Sequence, residues 1–202
     1  KELLPSQGPV RTQIIGTPTP DKEQQSLRVK EFMNYQIMSE MKEYESEFDQ
    51  MLFYLPLTGS TFKKVYYDEM MQRTVSKFVP ADDLVVPYTA TSLDDAETII
   101  HVVKMSENEL RKQQVAGFYR DVELTPGQDN ETDAQRKERE LDGMAKGRNQ
   151  PMFTLLECHV NLDIEGFEDT DTQGQATGIK LPYIVTVEEA SREVLSIRRN
   201  YE

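Results

Sequence analysis

The sequence predicts an α+β chain: one long amphipathic helix, then mainly antiparallel strands with short helices inserted. Three observations carry that prediction. From Ser26 onward apolar residues step by three or four; after Pro56 the period drops to two; and the strand-like runs are joined by short turn-rich connections.

Residues 1–25 ("KELLPSQGPVRTQIIGTPTPDKEQQ") are rich in Pro, Gly, Thr and Gln, show no sustained period and predict an extended arm. A domain over 26–202 follows. Met33, Ile37, Met41, Tyr44, Phe48, Met51, Leu52 and Leu55 define one helix face, with Glu40, Lys42, Glu43, Glu45, Glu47 and Asp49 opposite. Pro56 is expected to end that helix, which at about thirty residues exceeds the usual globular length and so is either kinked or laid on a partner. If the face is drawn correctly, Phe48→Ala costs about 3–5 kcal/mol.

"TFKKVYYD" and "QRTVSKFVP" predict a hairpin around a short "EMM" connection. "DLVVPY" and "AETIIHVVKM" predict two further strands, the second apolar enough to be buried on both faces. "SENELRKQQVAGF" opens with Ser106 and Glu109 at capping-box spacing, so a short helix is expected, with Leu110, Val115 and Phe118 facing inward. Residues 120–150 hold too few apolar side chains to pack and predict a mobile polar insertion. "MFTLLECHVNLDI" predicts a strand, "EGFEDTDTQGQATG" a loop, and "LPYIVTVEEASREVLSIRRNY" a closing hairpin around "EEAS".

With 202 residues and 37% apolar content the chain is long enough to bury a real core. The formal charge of −13, from 36 acidic and 23 basic residues, argues against a surface that wraps nucleic-acid phosphates or anionic lipid, which bind through charge neutralisation. Cys158 is the one cysteine, which excludes an internal disulfide and a multi-thiolate zinc cluster, and mildly favours a reducing cytosol. No window is apolar enough for a membrane span, and the N-terminus lacks a secretion pattern. The start at Lys1 and the stop on "SIRRNYE" predict a piece of a longer protein.

The candidate chemistry is sparse. Asp82/Asp83 and Asp94/Asp95 bracket "LVVPYTATSL". With His101 they suggest a metal-dependent hydrolase whose carboxylates converge on one ion. The competing reading is that Asp in such places caps turns through nearby backbone N–H groups, and it is preferred because no general acid or base stands in the stretch apart from His101, which lies inside an apolar run. Cys158 and His159 are adjacent on a strand and face opposite ways, which rules out a nucleophile–base pair between them; Cys158 paired with His101 across the sheet is the remaining thiol arrangement. "DTDTQG", Asp169 to Gly174, begins like a calcium loop, but Lys180 stands where the closing bidentate Glu is required. No phosphate-cradling glycine loop is present, and "LTGS" at Leu57–Ser60 has a single Gly. The residues therefore assign no catalytic, cofactor-binding or metal site and favour a structural or interaction role over an enzyme. A generic binding module that meets its partner through residues 1–55 is a further reading.

Three blocks add a resemblance: "FDQMLFYLPLTGSTFKKVYYD", "KFVPADDLVVPYTATSLDDAETIIHVVKMSENEL" and "KLPYIVTVEEASREVLSIRRNY". In this order they resemble the portal proteins of tailed bacteriophages, in the branch of short-tailed and related phages, over about residues 26–124 and 152–202. Asp82 stands where that family more often has Glu. The resemblance implies a structural subunit of a ring, usually a dodecamer, that forms the head–tail connector and DNA channel at the capsid vertex. It implies as partners other copies of the chain, the capsid shell and scaffold, the terminase motor, tail adaptor proteins, and DNA that passes without sequence recognition. It implies neither a cofactor nor a membrane, places the protein in the virion after assembly in the host bacterial cytoplasm, and makes this stretch the wing that precedes the stem.

Overall fold

The computed structural model describes residues 5, 8–125 and 152–201. The fold is α+β and divides into two compact units, residues 1–81 and 82–202.

In the first unit, α1 (Pro20–Tyr35) starts six residues ahead of Ser26, inside the stretch expected to be extended. The local reason is plain: Thr19 is an N-cap whose Oγ1 accepts from Lys22 N, Pro20 is pre-set for the first turn, and Asp21 and Glu23 favour the positive end of the helix. Ahead of it the arm lies along the helix. Val10 N–H donates to Asn34 Oδ1 at 2.9 Å, Asn34 Nδ2 donates to Val10 O at 3.2 Å, and Thr12 bonds Ser26 through both its hydroxyl and the Ser26 carbonyl. Gly8 sits so close that a Cβ would lie 2.2 Å from Asn34 Oδ1, and its φ of +90° already disfavours any other residue. Gly8→Ala is expected to detach residues 8–12 from α1, read as about tenfold or faster amide exchange at Val10; unchanged exchange would show that the contact does not hold the arm.

The long helix is kinked. A π-helical turn, Gln36–Glu40, closes with Met41 N–H on Gln36 O, the chain turns at Met41–Glu43, and α2 (Tyr44–Thr58) begins. Pro56 does not end α2, contrary to expectation. It removes one donor a single turn from the end, and the helix closes at Gly59, whose φ is +79° and whose N–H bonds Leu55 O. The helix packs beside the hairpin β1 (Phe62–Asp68) and β2 (Arg73–Val79), paired in register from Phe62↔Val79 to Asp68↔Arg73. Asp68 Oδ1 holds the connecting turn by accepting from Met70 and Met71 N–H. Phe48 stacks on Tyr44 and is half-buried, with the Lys63 ammonium lying over the Tyr44 ring at 3.6 Å. Burial pushes the Lys63 pKa down, and the Glu47 carboxylate opposes that shift. Because Phe48 keeps part of its surface in water, Phe48→Ala is now expected to cost about 1–2 kcal/mol, less than a core truncation; a urea melt that shows more than about 3 kcal/mol would mean that the ring is buried in solution.

The second unit is a five-stranded antiparallel sheet in the order β3 (Leu84–Val85), β4 (Thr98–Ser106), β5 (Met152–Leu162), β6 (Leu181–Glu188), β7 (Val194–Arg199). "DLVVPY" yields only two paired residues, because Ala81–Asp83 forms a 3₁₀ turn and the chain leaves the sheet towards Pro87. The β4 residues are half-exposed rather than buried on both faces. The helix α3 (Glu107–Val115) carries the complete capping box on Ser106 and Glu109. Leu110 packs with Tyr119, Phe153, Leu155 and Leu195 into the core, with Phe118 against them. Val115, expected to face inward, is 78% exposed, and Gln114 is buried instead, donating to Arg120 O and Val122 O. Of the insertion expected at 120–150, Arg120 N–H bonds Leu195 O and Arg120 pairs with Glu193; its residues from 126 on lie outside the described residues.

Candidate functional site

The two Asp pairs sit in turns. Asp82 and Asp83 are in the 3₁₀ turn that leads into β3. Asp95 N–H donates to Ser92 Oγ and its Oδ2 accepts from Thr91 Oγ1, a self-contained turn ahead of β4. Among the described residues no group of three or more His, Cys, Asp or Glu side chains is placed to hold a metal ion. The hydrolase arrangement of Asp82, Asp83, Asp94, Asp95 and His101 thus has no support in the geometry.

Register decides the thiol question. His101 stands across from Glu157, and Cys158 across from Ile100; directly opposed residues share a face, so Cys158 and His101 point to opposite sides of the sheet. The expected alternative of a cross-sheet Cys158–His101 pair is therefore corrected. Burial and the adjacent Glu157 carboxylate push the Cys158 thiol up, away from the thiolate a nucleophile needs. Glu157 instead shares its face with His159, whose Nε2 lies 3.1 Å from Glu157 Oε1. The same row continues across β6 and β7 through Thr186 and Ser196, so a polar band crosses the sheet beside the apolar core of Phe153 and Leu155.

The calcium-like loop is a miniature hairpin. Asp171 Oδ1 accepts from Gln173 and Gln175 N–H, Thr170 bridges Ala176, and Thr177 Oγ1 donates to Asp169 Oδ2 at 2.7 Å. Its carboxylates are already satisfied by the turn they close. Beside it, backbone donors at Glu168 itself and at Gly166 hold the Glu168 carboxyl below the usual glutamate range.

What sequence patterning did not single out is a pair of glutamates one helical turn apart that cover a strand edge. Phe78 N–H donates to Glu47 Oε2 at 2.7 Å, and Ser76 N–H reaches Glu43 Oε1, which also accepts from Arg73 Nη1 at 2.8 Å. Spacings of four on a helix and two on a strand match in length, so α2 supplies acceptors to the outward amides of β2. The Arg73 guanidinium holds the Glu43 carboxyl below its ordinary range, against the opposing effect of burial. Glu43 and Glu47 stood on the predicted polar face of the helix, and only the fold shows what they bind.

The described residues thus assemble a scaffold: helices that cap strand edges, a sheet with one packed end, and carboxylates spent on turns rather than gathered for chemistry. The model of the phage SU10 portal protein family matches residues 22–170, from α1 through β5 and into the loop beyond it, and the chain belongs to that family of structural phage proteins. The matched stretch includes two of the three blocks that carry the sequence resemblance, while β6 and β7 lie beyond it. The search of curated proteins finds no match.

Proposed function

We propose that this chain contributes the wing of a portal subunit of the short-tailed phage type. Such subunits assemble, as a dodecamer, into the channel at the capsid vertex through which DNA is packaged and ejected. The observation that carries the reading is the portal-family match over residues 22–170. The charge of −13 supports it, because a channel that slides DNA works against tight binding of phosphates. In this reading the chain performs no turnover and works in the virion after assembly in the host cytoplasm. Its partners are other copies of itself, the shell and scaffold, the terminase motor and tail adaptors, and DNA passes without being read. The residues ahead of α1 serve as an arm and the chain from α1 onward as the wing. The test is negative-stain electron microscopy of the complete protein: rings with a central channel are expected, and uniform monomers over a wide concentration range would overturn the assignment.

A further inference from the structure

The two edges of the five-stranded sheet carry opposite charge. At the β3 edge the segment from Asp82 to Glu97 holds Asp82, Asp83, Asp94, Asp95 and Glu97 and neither Lys nor Arg. At the β7 edge residues 192–199 hold Arg192, Arg198 and Arg199 against one acid, Glu193, which Arg120 already engages. Among the described residues the ion pairs are Glu43–Arg73, Arg111–Asp121 and Arg120–Glu193, with Glu157 against His159, so apart from Glu193 neither set is in an ion pair with another described residue. Arg192 and Arg198 are exposed, Arg198 lying over the Phe118 ring at 3.6 Å, whereas Arg199 is half-buried beside Tyr183 of β6 at 5.2 Å with its Nη1 buried and unpaired among the described residues; these contacts leave the positive charges unneutralised.

The β3 edge and the Ile197–Arg199 stretch of the β7 edge are also open to strand pairing among the described residues, the outward Leu195 C=O being taken already by Arg120 N–H. Among the described residues no strand pairs with the outer side of β3 or of β7. Asn200 N–H bonds Pro182 O, and with alternation along the ladder this turns the N–H and C=O groups of Ile197 and Arg199 outward. Apolar side chains flank these groups: Val85, Val86 and a fully exposed Tyr88 at one edge, and Val194, Ile197 and Tyr201 at the other. An open, partly apolar edge is a template for another chain.

We propose that the β7 edge of one copy of this chain docks on the β3 edge of the next, Arg192, Arg198 and Arg199 facing Asp82, Asp83, Asp94 and Glu97. The inference rests on the portal-ring reading and names a contact within that ring. A second copy is the occupant because the complementary surface is on the chain itself, at the opposite end of one sheet. A two-fold dimer through either edge would set like charge on like charge. A head-to-tail contact satisfies both edges and repeats by rotation into a closed ring. With five antiparallel strands β3 and β7 run in the same direction, so successive copies present their edges in a consistent parallel sense.

The test uses charge exchange in the complete protein. One variant carries Arg198→Glu with Arg199→Glu, a second carries Asp82→Lys, Asp83→Lys and Asp94→Lys, and a third combines all five. Asp95 is left alone because it holds its turn. Sedimentation velocity and negative-stain images at near-physiological salt should show the ring fraction fall about tenfold or more in each of the first two, and recover to within about twofold of wild type in the third. Circular dichroism melts monitor the fold; if the arginine variant loses its structure with Phe118 and Tyr183, the aspartate variant, altered only in a turn and a loop, carries the decision. Wild-type rings with both reversals folded and assembling normally would overturn the edge contact and leave the portal reading standing. A wild-type protein that forms no ring would overturn both.

Discussion

Phe153→Ala is expected to destabilise the second unit by about 3–5 kcal/mol, the largest effect of any single truncation considered for this chain. Phe153 is 2% exposed on β5 and sits between Leu110 of α3, Leu155, Leu195 of β7 and Tyr119. Its ring is the point at which α3, the central strand and the closing edge strand meet. Removing it forfeits the transfer free energy of the ring and leaves a cavity that a helix and two strands cannot collapse together to fill. Urea unfolding followed by far-ultraviolet circular dichroism is the measurement, with Val115→Ala as the control: Val115 lies on the same helix but faces solvent and is expected to change stability by less than about 0.5 kcal/mol. A Phe153→Ala cost below about 1 kcal/mol would mean that α3 does not pack on the sheet as described.

Glu43→Ala is the second. It removes the partner of Arg73 and an acceptor for the Ser76 amide, and is expected to cost about 1–2 kcal/mol, since a charge-assisted bond at a partly exposed site is worth less than a buried one. The effect has a pH signature whose sign follows from the lowered Glu43 pKa. A carboxyl held below its unfolded value contributes stability that is fully present above the ordinary glutamate range and is lost as pH falls through the lowered, folded value. The wild-type minus Glu43→Ala difference should therefore be constant near neutrality and shrink only in acid. A difference that persists unchanged at pH 2 would assign the cost to packing of the side chain rather than to its charge.

Most of the elements are legible in the sequence because they obey local rules. A period of two marks β1, β2 and β5, an apolar run marks β4, the strands around "EEAS" mark β6 and β7, and the spacing of Ser106 and Glu109 alone announces α3 and its start. The start of α1 was equally local, in the Thr19–Pro20 cap, but the Pro and Thr around it read as arm composition. Pro56 misleads for the opposite reason: a helix-breaking residue loses its force a turn from the C-terminus, where few bonds remain to be broken. The inward placing of Val115 fails because periodicity names a stripe and not its end, and the buried amide of Gln114 takes the last inward position on α3 to tie down the chain at Arg120 and Val122.

What the sequence by itself determined is the α+β class, the run of strands and helices, the turn chemistry of the Asp pairs and, through ordered blocks, the resemblance to portal proteins. Each of these depends on residues close together in the chain or on their order along it. Tertiary structure alone decided that His101 and Cys158 lie on opposite faces, that Glu43 and Glu47 cover the edge of β2, and that the acidic turns and the arginines of β7 stand at opposite edges of one sheet. These are matters of register and strand order, set by pairings between residues far apart in sequence, where a slip of one residue would turn every side chain to the other face without changing any local pattern.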